Sequence, residues 1–211
     1  MKRELRGLYA ITSQAVCDSP SRLEAGVAAA IAGGARLIQY RDKLGDAATR
    51  LANAQPLRQR CRDAGVLFIV NDDMQLAAAV EADGVHLGKS DGSIAAARAR
   101  LGDGVLIGVS CSGDLARARA AQQQGADYVA FGRFYDSQTK PDAPPASIEV
   151  LREARAQLHL PIVAIGGITP DNAAPLLAAG ADMIAAVDGV FGAADIEAAA
   201  QRYAALFQRM S

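Results

Sequence analysis

The sequence predicts a single (β/α)8 TIM barrel over residues 1–211, with its active site at the C-terminal ends of the strands. Three observations carry that expectation. Short apolar, β-branched runs alternate with helical segments along the whole chain, as a buried parallel sheet with crossover helices requires. Side chains able to do chemistry sit directly after those runs: Arg41-Asp42-Lys43, Asn71-Asp72, Gly88-Lys89-Ser90-Asp91, Ser110, and the loop ending in Thr139-Lys140. Strand ends that supply cations, carboxylates and hydroxyls meet around one site only if the strands all point the same way. The length of 211 residues lies near the short end of the range for this barrel.

The elements follow in order. Leu8–Ile11 reads as strand one and Arg22–Ala32 as its return helix. Leu37–Tyr40 is strand two, followed by a long helix from about Asp46 to Ala64. Leu67–Val70 is strand three, with helix Met74–Glu81 behind it. Gly84–Leu87 and helix Ile94–Leu101 make the fourth unit, Leu106–Val109 and helix Leu115–Gln124 the fifth. Tyr128–Phe131 is strand six, and helix Ser147–Leu158 follows a Pro-rich loop. Ile162–Ile165 with helix Pro170–Ala179, then Met183–Val187 with helix Ala194–Phe207, complete the set. Ser112 and Asp114 before the fifth helix, and Thr169-Pro170 before the seventh, are helix-entry residues. Gly34-Ala35-Arg36, Ala82-Asp83-Gly84, Gly125-Ala126-Asp127 and Gly180-Ala181-Asp182 echo one another. Each joins a helix to a strand, and they read as generic αβ turns in which glycine suits a left-handed helix end.

Composition narrows the function. The chain is 51% hydrophobic and 21% charged, with a net charge of −1, so it carries no electrostatic footprint for nucleic acid. Any bound phosphate must be held by a few placed cations and amides. Cys17, Cys61 and Cys111 have no close metal-type spacing, and an odd count argues against a disulfide framework. No stretch approaches 18 apolar residues and no signal core is present, so the expected location is cytoplasmic, without membrane contact.

Gln39, Arg41 and Lys43 fall on one side of an extended segment, since side chains alternate with period two. A planar guanidinium and a point-charge ammonium there suit a diphosphate cradle, although a solvated surface turn would look the same. Asp72 and Asp91 follow neighbouring strands, and two carboxylates beside a cationic cradle suit an octahedral Mg2+ completed by water and phosphate. The competing role is helix capping, of the Met74 helix by Asp72 or Asp73 and of the Ile94 helix by Asp91, and it fits Asp73 well. Gly166-Gly167-Ile168 and Asp188-Gly189 follow strands seven and eight, the barrel's frequent phosphate site. Ser137, Gln138, Thr139 and Lys140 add polar groups from the loop after strand six. His86 sits inside an apolar run and reads as a packed histidine. His159 reads as a loop residue. Cys111 lacks a partner base and is rejected as a nucleophile. Without an obvious general base, the chemistry should rest on electrostatics and positioning.

Taken in sequence, these fragments resemble thiamine-phosphate synthase from about residue 8 to residue 192. The matching strings are Leu8-Tyr9-Ala10-Ile11-Thr12, Gln39-Tyr40-Arg41-Asp42-Lys43, Phe68-Ile69-Val70-Asn71-Asp72, Ala82-Asp83-Gly84-Val85-His86-Leu87-Gly88, Gly108-Val109-Ser110, Gly125-Ala126-Asp127-Tyr128-Val129, Thr139-Lys140 and Ile165-Gly166-Gly167-Ile168. The resemblance implies a transferase that joins hydroxymethylpyrimidine diphosphate to thiazole phosphate, releasing diphosphate. It would place pyrimidine diphosphate contacts on Gln39, Tyr40, Arg41, Asp42, Lys43, Asn71, Ser110 and Lys140. Thiazole phosphate contacts would be Ser137, Gln138, Thr139, Gly167, Val187 and Asp188. The Mg2+ ligands would be Asp72 and Asp91, and the catalytic set Arg41, Ser110 and Lys140. A homo-oligomer is left open.

The chain departs from the family pattern at Gly132-Arg133, Asp136-Ser137 and Asp188. A carboxylate beside a phosphate is unfavourable, so the Asp188 side chain is expected to turn away. A thiazole tautomerase of the same superfamily or a non-catalytic thiamin-phosphate-binding barrel would need neither diphosphate nor metal. Arg41, Lys43, Asp72, Asp91 and Lys140 therefore disfavour both.

Overall fold

The computed structural model describes residues 5–136 and 145–208. Eight parallel strands pair in sequence order and close into a barrel, β1 returning to β8. They are β1 Gly7–Ile11, β2 Leu37–Tyr40, β3 Leu67–Asn71, β4 Gly84–Leu87, β5 Leu106–Ser112, β6 Tyr128–Phe131, β7 Ile162–Ile165 and β8 Met183–Ala186. The helices are α1 Gln14–Cys17, α2 Pro20–Ala32, α3 Ala47–Asp63, α4 Met74–Ala79, α5 Ile94–Leu101, α6 Leu115–Gln123, α7 Ile148–Gln157, α8 Ala174–Ala178, α9 Asp188–Phe191 and α10 Ile196–Gln208.

Alternation along each strand sorts the apolar side chains into two cores. Tyr9, Leu37, Ile69, Tyr128, Val163 and Met183 fill the barrel interior. Their strand neighbours Leu8, Ala10, Ile38, Phe68, Val129 and Ile184 pack outward against the helices. Both faces are therefore apolar, which is why the strands read as continuous hydrophobic runs.

The repeated turns have a structural purpose. Asp83, Asp127 and Asp182 each stand just before an even-numbered strand, and each accepts the first or second amide of the strand before it. The donors are Phe68 N at 3.0 Å, Ile107 N at 2.8 Å and Ile162 N at 2.8 Å. Each carboxylate also pairs with an arginine of the helix that leads into that odd strand, Arg58 on α3, Arg98 on α5 and Arg155 on α7. The fourth copy carries Arg36 in place of the aspartate. Gly34, Gly125 and Gly180 do take positive φ, at 95°, 88° and 109°, whereas in the 82–84 turn it is Glu81 that does so, at 51°.

Most element ends shift by one or two residues from expectation, and a few differences have a physical cause. A short α1 precedes α2. Strand β5 runs on through Ser112, past a register shift between Ser110 and Ser112, so Ser112 is a strand residue and Asp114 alone caps α6 through Arg117 N. Asp91 does not cap α5, because Ser93 does. Helix α8 starts at Ala174 rather than Pro170. The residues before it form a turn closed by Asn172, whose Oδ1 accepts from Thr169 N and whose Nδ2 donates to Gly167 O. That side chain replaces the first helical turn. Asp73 caps α4, accepting from Gln75 N and Leu76 N.

Candidate active site

A cavity of about 370 Å³ opens at the C-terminal ends of the strands. Gln39, Arg41, Asn71 and Ser110 line it from β2, β3 and β5, and Gly167, Val187 and Asp188 line it from the β7 and β8 ends. A larger cavity, about 940 Å³, opens at the opposite face near Gly7, Leu67 and Phe207. It holds none of the strand-end groups, and its Arg58 and Arg62 are paired with Asp83 and Glu81. The C-terminal cavity is the candidate site, because the strand-end chemistry converges there.

Two expected contacts are corrected. Tyr40 points to the outer core and is only 2% exposed. Asp42 organises its own loop, accepting from Gln14 Nε2 at 2.9 Å, Gly45 N at 2.9 Å and Leu44 N at 3.1 Å. Neither side chain lines the cavity, because period-two alternation that aims Gln39 and Arg41 inward aims these two outward. Ser137, Gln138, Thr139 and Lys140 lie outside the described residues.

Lys43, Asp72 and Asp91 gather at the β2, β3 and β4 ends beside the cavity. Lys43 Nζ pairs with Asp72, and Asn71 Nδ2 donates to the same Asp72 oxygen at 2.6 Å. Asp91 accepts the Gly88 amide at 2.9 Å and hydrogen-bonds Asp72. Burial raises the Asp72 carboxyl above its usual range, and the neighbouring Asp91 adds to this while Lys43 opposes it. Burial also works against the charged form of Asp91, but hydrogen bonds to Asp72 and Gly88 and the Lys43 charge outweigh it and lower its pKa. Asp72 holds a left-handed backbone, φ 62°, which turns its carboxylate into this cluster. Such strain costs on the order of 1–3 kcal/mol and persists where the surroundings enforce it. Two carboxylates that crowd each other enough to raise the Asp72 pKa are oxygen ligands of the kind a hard divalent cation such as Mg2+ takes, and a bound cation would relieve the repulsion that Lys43 offsets in its place.

The floor holds residues that reading strand ends overlooked. Tyr9 and His86 line the cavity from inside β1 and β4. Gln39 Nε2 donates to Tyr9 Oη at 2.6 Å, and Tyr9 Oη lies 2.8 Å from Tyr128 Oη. His86 Nδ1 lies 3.1 Å from Tyr128 Oη and its Nε2 lies 2.9 Å from Ser110 Oγ. Burial raises the phenol pKa of both tyrosines, so they stay protonated. His86 is packed, as expected, but it also faces the site. The available signal was period-two phase within the strand: Tyr9 alternates with the inward Ile11, and His86 alternates with Gly84. Arg133 was also missed; it lines the cavity and pairs with Asp136 at 2.8 Å.

The opposite wall includes the glycines Gly166, Gly167 and Gly189, which carry no side chain of their own. A Cβ on Gly167 would sit 2.2 Å from Asp136 O, so the strand-six loop packs directly on it. Asp188 is exposed there, at the start of α9. Cys111 is 1% exposed and burial pushes its thiol up to about 12, which removes it as a nucleophile.

Comparisons with known proteins point to one family. A family profile described as thiamine monophosphate synthase matches residues 8–190. A thiamine-phosphate synthase of Alcanivorax borkumensis is 53% identical over 97% of this chain and 95% of its own length. One from Methylococcus capsulatus is 51% identical over 96% and 89%. The solved thiamine phosphate pyrophosphorylase from Pyrococcus furiosus superposes with TM-score 0.87 at 34% identity, covering 96% of each chain.

Proposed function

The chain belongs to the thiamine monophosphate synthase family and is a transferase, and on that premise we propose how its cavity joins hydroxymethylpyrimidine diphosphate to thiazole phosphate. The reaction breaks the bond between the pyrimidine methylene carbon and the diphosphate oxygen, whose electron pair leaves with diphosphate. The thiazole nitrogen lone pair then bonds the same carbon, giving thiamine phosphate. No oxidant and no strong base are needed, since an electron-rich aminopyrimidine stabilises the cation itself.

One observation carries this reading: a single cavity has two ends suited to anions. Arg41 and the Lys43–Asp72–Asp91 cluster stand at the β2–β4 ends, and bare glycine amides stand at the β7–β8 ends. Arg41 offers two parallel donors to the leaving diphosphate, and Lys43 and Lys140 add point charges. Ser110, held by His86, offers a hydroxyl beside them. Stabilising charge that develops in the transition state is worth more in a water-poor cavity than in solvent. Asp72 and Asp91 would hold Mg2+, which when bound supplies further neutralisation of the diphosphate charge. Amides around Gly167 and Asp188 take the thiazole phosphate, assisted by Ser137, Gln138 and Thr139 of the strand-six loop.

Incubation with both substrates and Mg2+, with thiamine phosphate and diphosphate measured separately, tests the proposal. Equal amounts of both products are expected. Diphosphate release without coupling, or no turnover, would refute it.

A further inference from the structure

Gln39 on β2 and Ser110 on β5 are not neighbours in the sheet, yet a single line of hydrogen bonds joins them through Tyr9, Tyr128 and His86. The order of donors in that line follows from one end. Gln39 Nε2 donates to Tyr9 Oη. Tyr9 is 1% exposed, and a buried hydroxyl proton without an acceptor is costly, so Tyr9 donates to Tyr128. Tyr128 is fully buried and must then donate to His86 Nδ1. A neutral imidazole with Nδ1 accepting carries its proton on Nε2, which donates to Ser110 Oγ. Gln39 thus turns its carbonyl oxygen to the cavity as an acceptor, and Ser110 turns its hydroxyl proton there as a donor.

We propose that Tyr9, Tyr128 and His86 are positioning residues that fix both ends of this line at once, making the site select an aminopyrimidine over the corresponding oxopyrimidine. The proposal deepens the transferase reading and rests on it. An amino group facing the Gln39 carbonyl makes a hydrogen bond, whereas an oxo group there sets lone pair against lone pair. Turning the Gln39 amide over cannot rescue the oxo compound cheaply. Tyr9 would have to donate to Gln39, Tyr128 to Tyr9, His86 Nδ1 to Tyr128, and Ser110 to His86 Nε2. The flip therefore withdraws the Ser110 proton from the cavity, and one mismatch at Gln39 becomes two.

The test uses Tyr128→Phe, which deletes one hydroxyl and keeps the ring. The ring matters to packing, since a Cβ on Gly108 would lie 2.0 Å from Tyr128 Cζ. kcat/KM is measured for hydroxymethylpyrimidine diphosphate and for its 4-oxo analogue, in the wild type and the variant. Cutting the line frees Gln39 to turn, so the amino-over-oxo preference should fall at least about tenfold in Tyr128→Phe. Equal losses on both compounds would mean the hydroxyl is only structural and would overturn the proposal.

The second readout needs no turnover. The chain has two histidines, so nitrogen-15 imidazole spectra can be assigned by comparison with His159→Gln. His86 should show a protonated Nε2 and an unprotonated Nδ1, and a protonated Nδ1 would refute the donor order. A wild type that turned over neither compound would end the transferase reading instead, leaving the tautomer to decide the hydrogen-bond order alone.

Discussion

The Tyr203 hydroxyl, on helix α10 outside the barrel, donates to the Ile168 carbonyl at 2.7 Å and lies where a Cβ on Gly189 would come within 2.1 Å. One phenol therefore holds the loop after β7 and the loop after β8 in a fixed relation. These are the two loops proposed to take the thiazole phosphate. Tyr203→Phe should raise KM for thiazole phosphate roughly three- to tenfold, the value of one hydrogen bond at about 0.5–1.5 kcal/mol. KM for the pyrimidine substrate should hardly move. Steady-state kinetics with each substrate varied in turn separates the two, and a parallel rise in both KM values would show a general loss of structure.

Activity should require a divalent cation, and Asp72→Asn and Asp91→Asn should each abolish metal-dependent turnover while the fold persists. Asparagine tolerates the left-handed backbone at position 72 and keeps the side-chain shape, so the loss would be of charge rather than geometry. Turnover with and without chelator, alongside thermal unfolding, provides the measurement. Full activity in excess chelator would remove the metal assignment.

Arg41→Ala and Lys140→Ala should each lower kcat at least about 100-fold, since they oppose charge that develops on the leaving diphosphate. Unchanged kcat at saturating substrate would restrict both to ground-state binding.

Asp188→Ser should change thiazole phosphate affinity by less than about tenfold, roughly 1.4 kcal/mol, because backbone amides supply the attraction there. Calorimetric titration of thiazole phosphate into the protein reads this directly. Binding that tightens well beyond tenfold would mean the carboxylate repels the phosphate and that the wall serves another anion.

Burial raises the thiols of Cys17, Cys61 and Cys111 to about 11, 12 and 12. A raised pKa leaves little thiolate at pH 8, and the thiolate is the reactive form. The native protein should therefore resist iodoacetamide at pH 8 and react fully once unfolded, and Cys111→Ala should retain turnover. Rapid labelling of Cys111 in the native state would reopen its role.

Much of this is legible in the sequence. Apolar runs of four or five residues located all eight strands, because strands buried on both faces have no polar positions to interrupt them. Arg41, Asn71 and Ser110 were found at the cavity because each follows or ends such a run. Tyr40 and Asp42 were misassigned for the same reason: adjacency to a run names a place on the barrel's rim, not the direction in which a side chain points. The Pro170 start of α8 failed because Asn172 closes a turn with its own side chain, which propensity at Thr169-Pro170 does not register.

The sequence by itself determined the order and polarity of the strands, and with them the face of the barrel that carries the chemistry. Those follow from local patterns of period two and 3.6, which each segment expresses alone. Only the tertiary structure decided that Tyr9, Gln39, His86, Ser110 and Tyr128 share one line of hydrogen bonds, and that Lys43 meets Asp72 and Asp91. Those partners stand up to 119 residues apart, and the closure of the sheet brings them together. A hydrogen bond depends on distances within a few tenths of an ångström, which no spacing along a chain can specify until the barrel has closed.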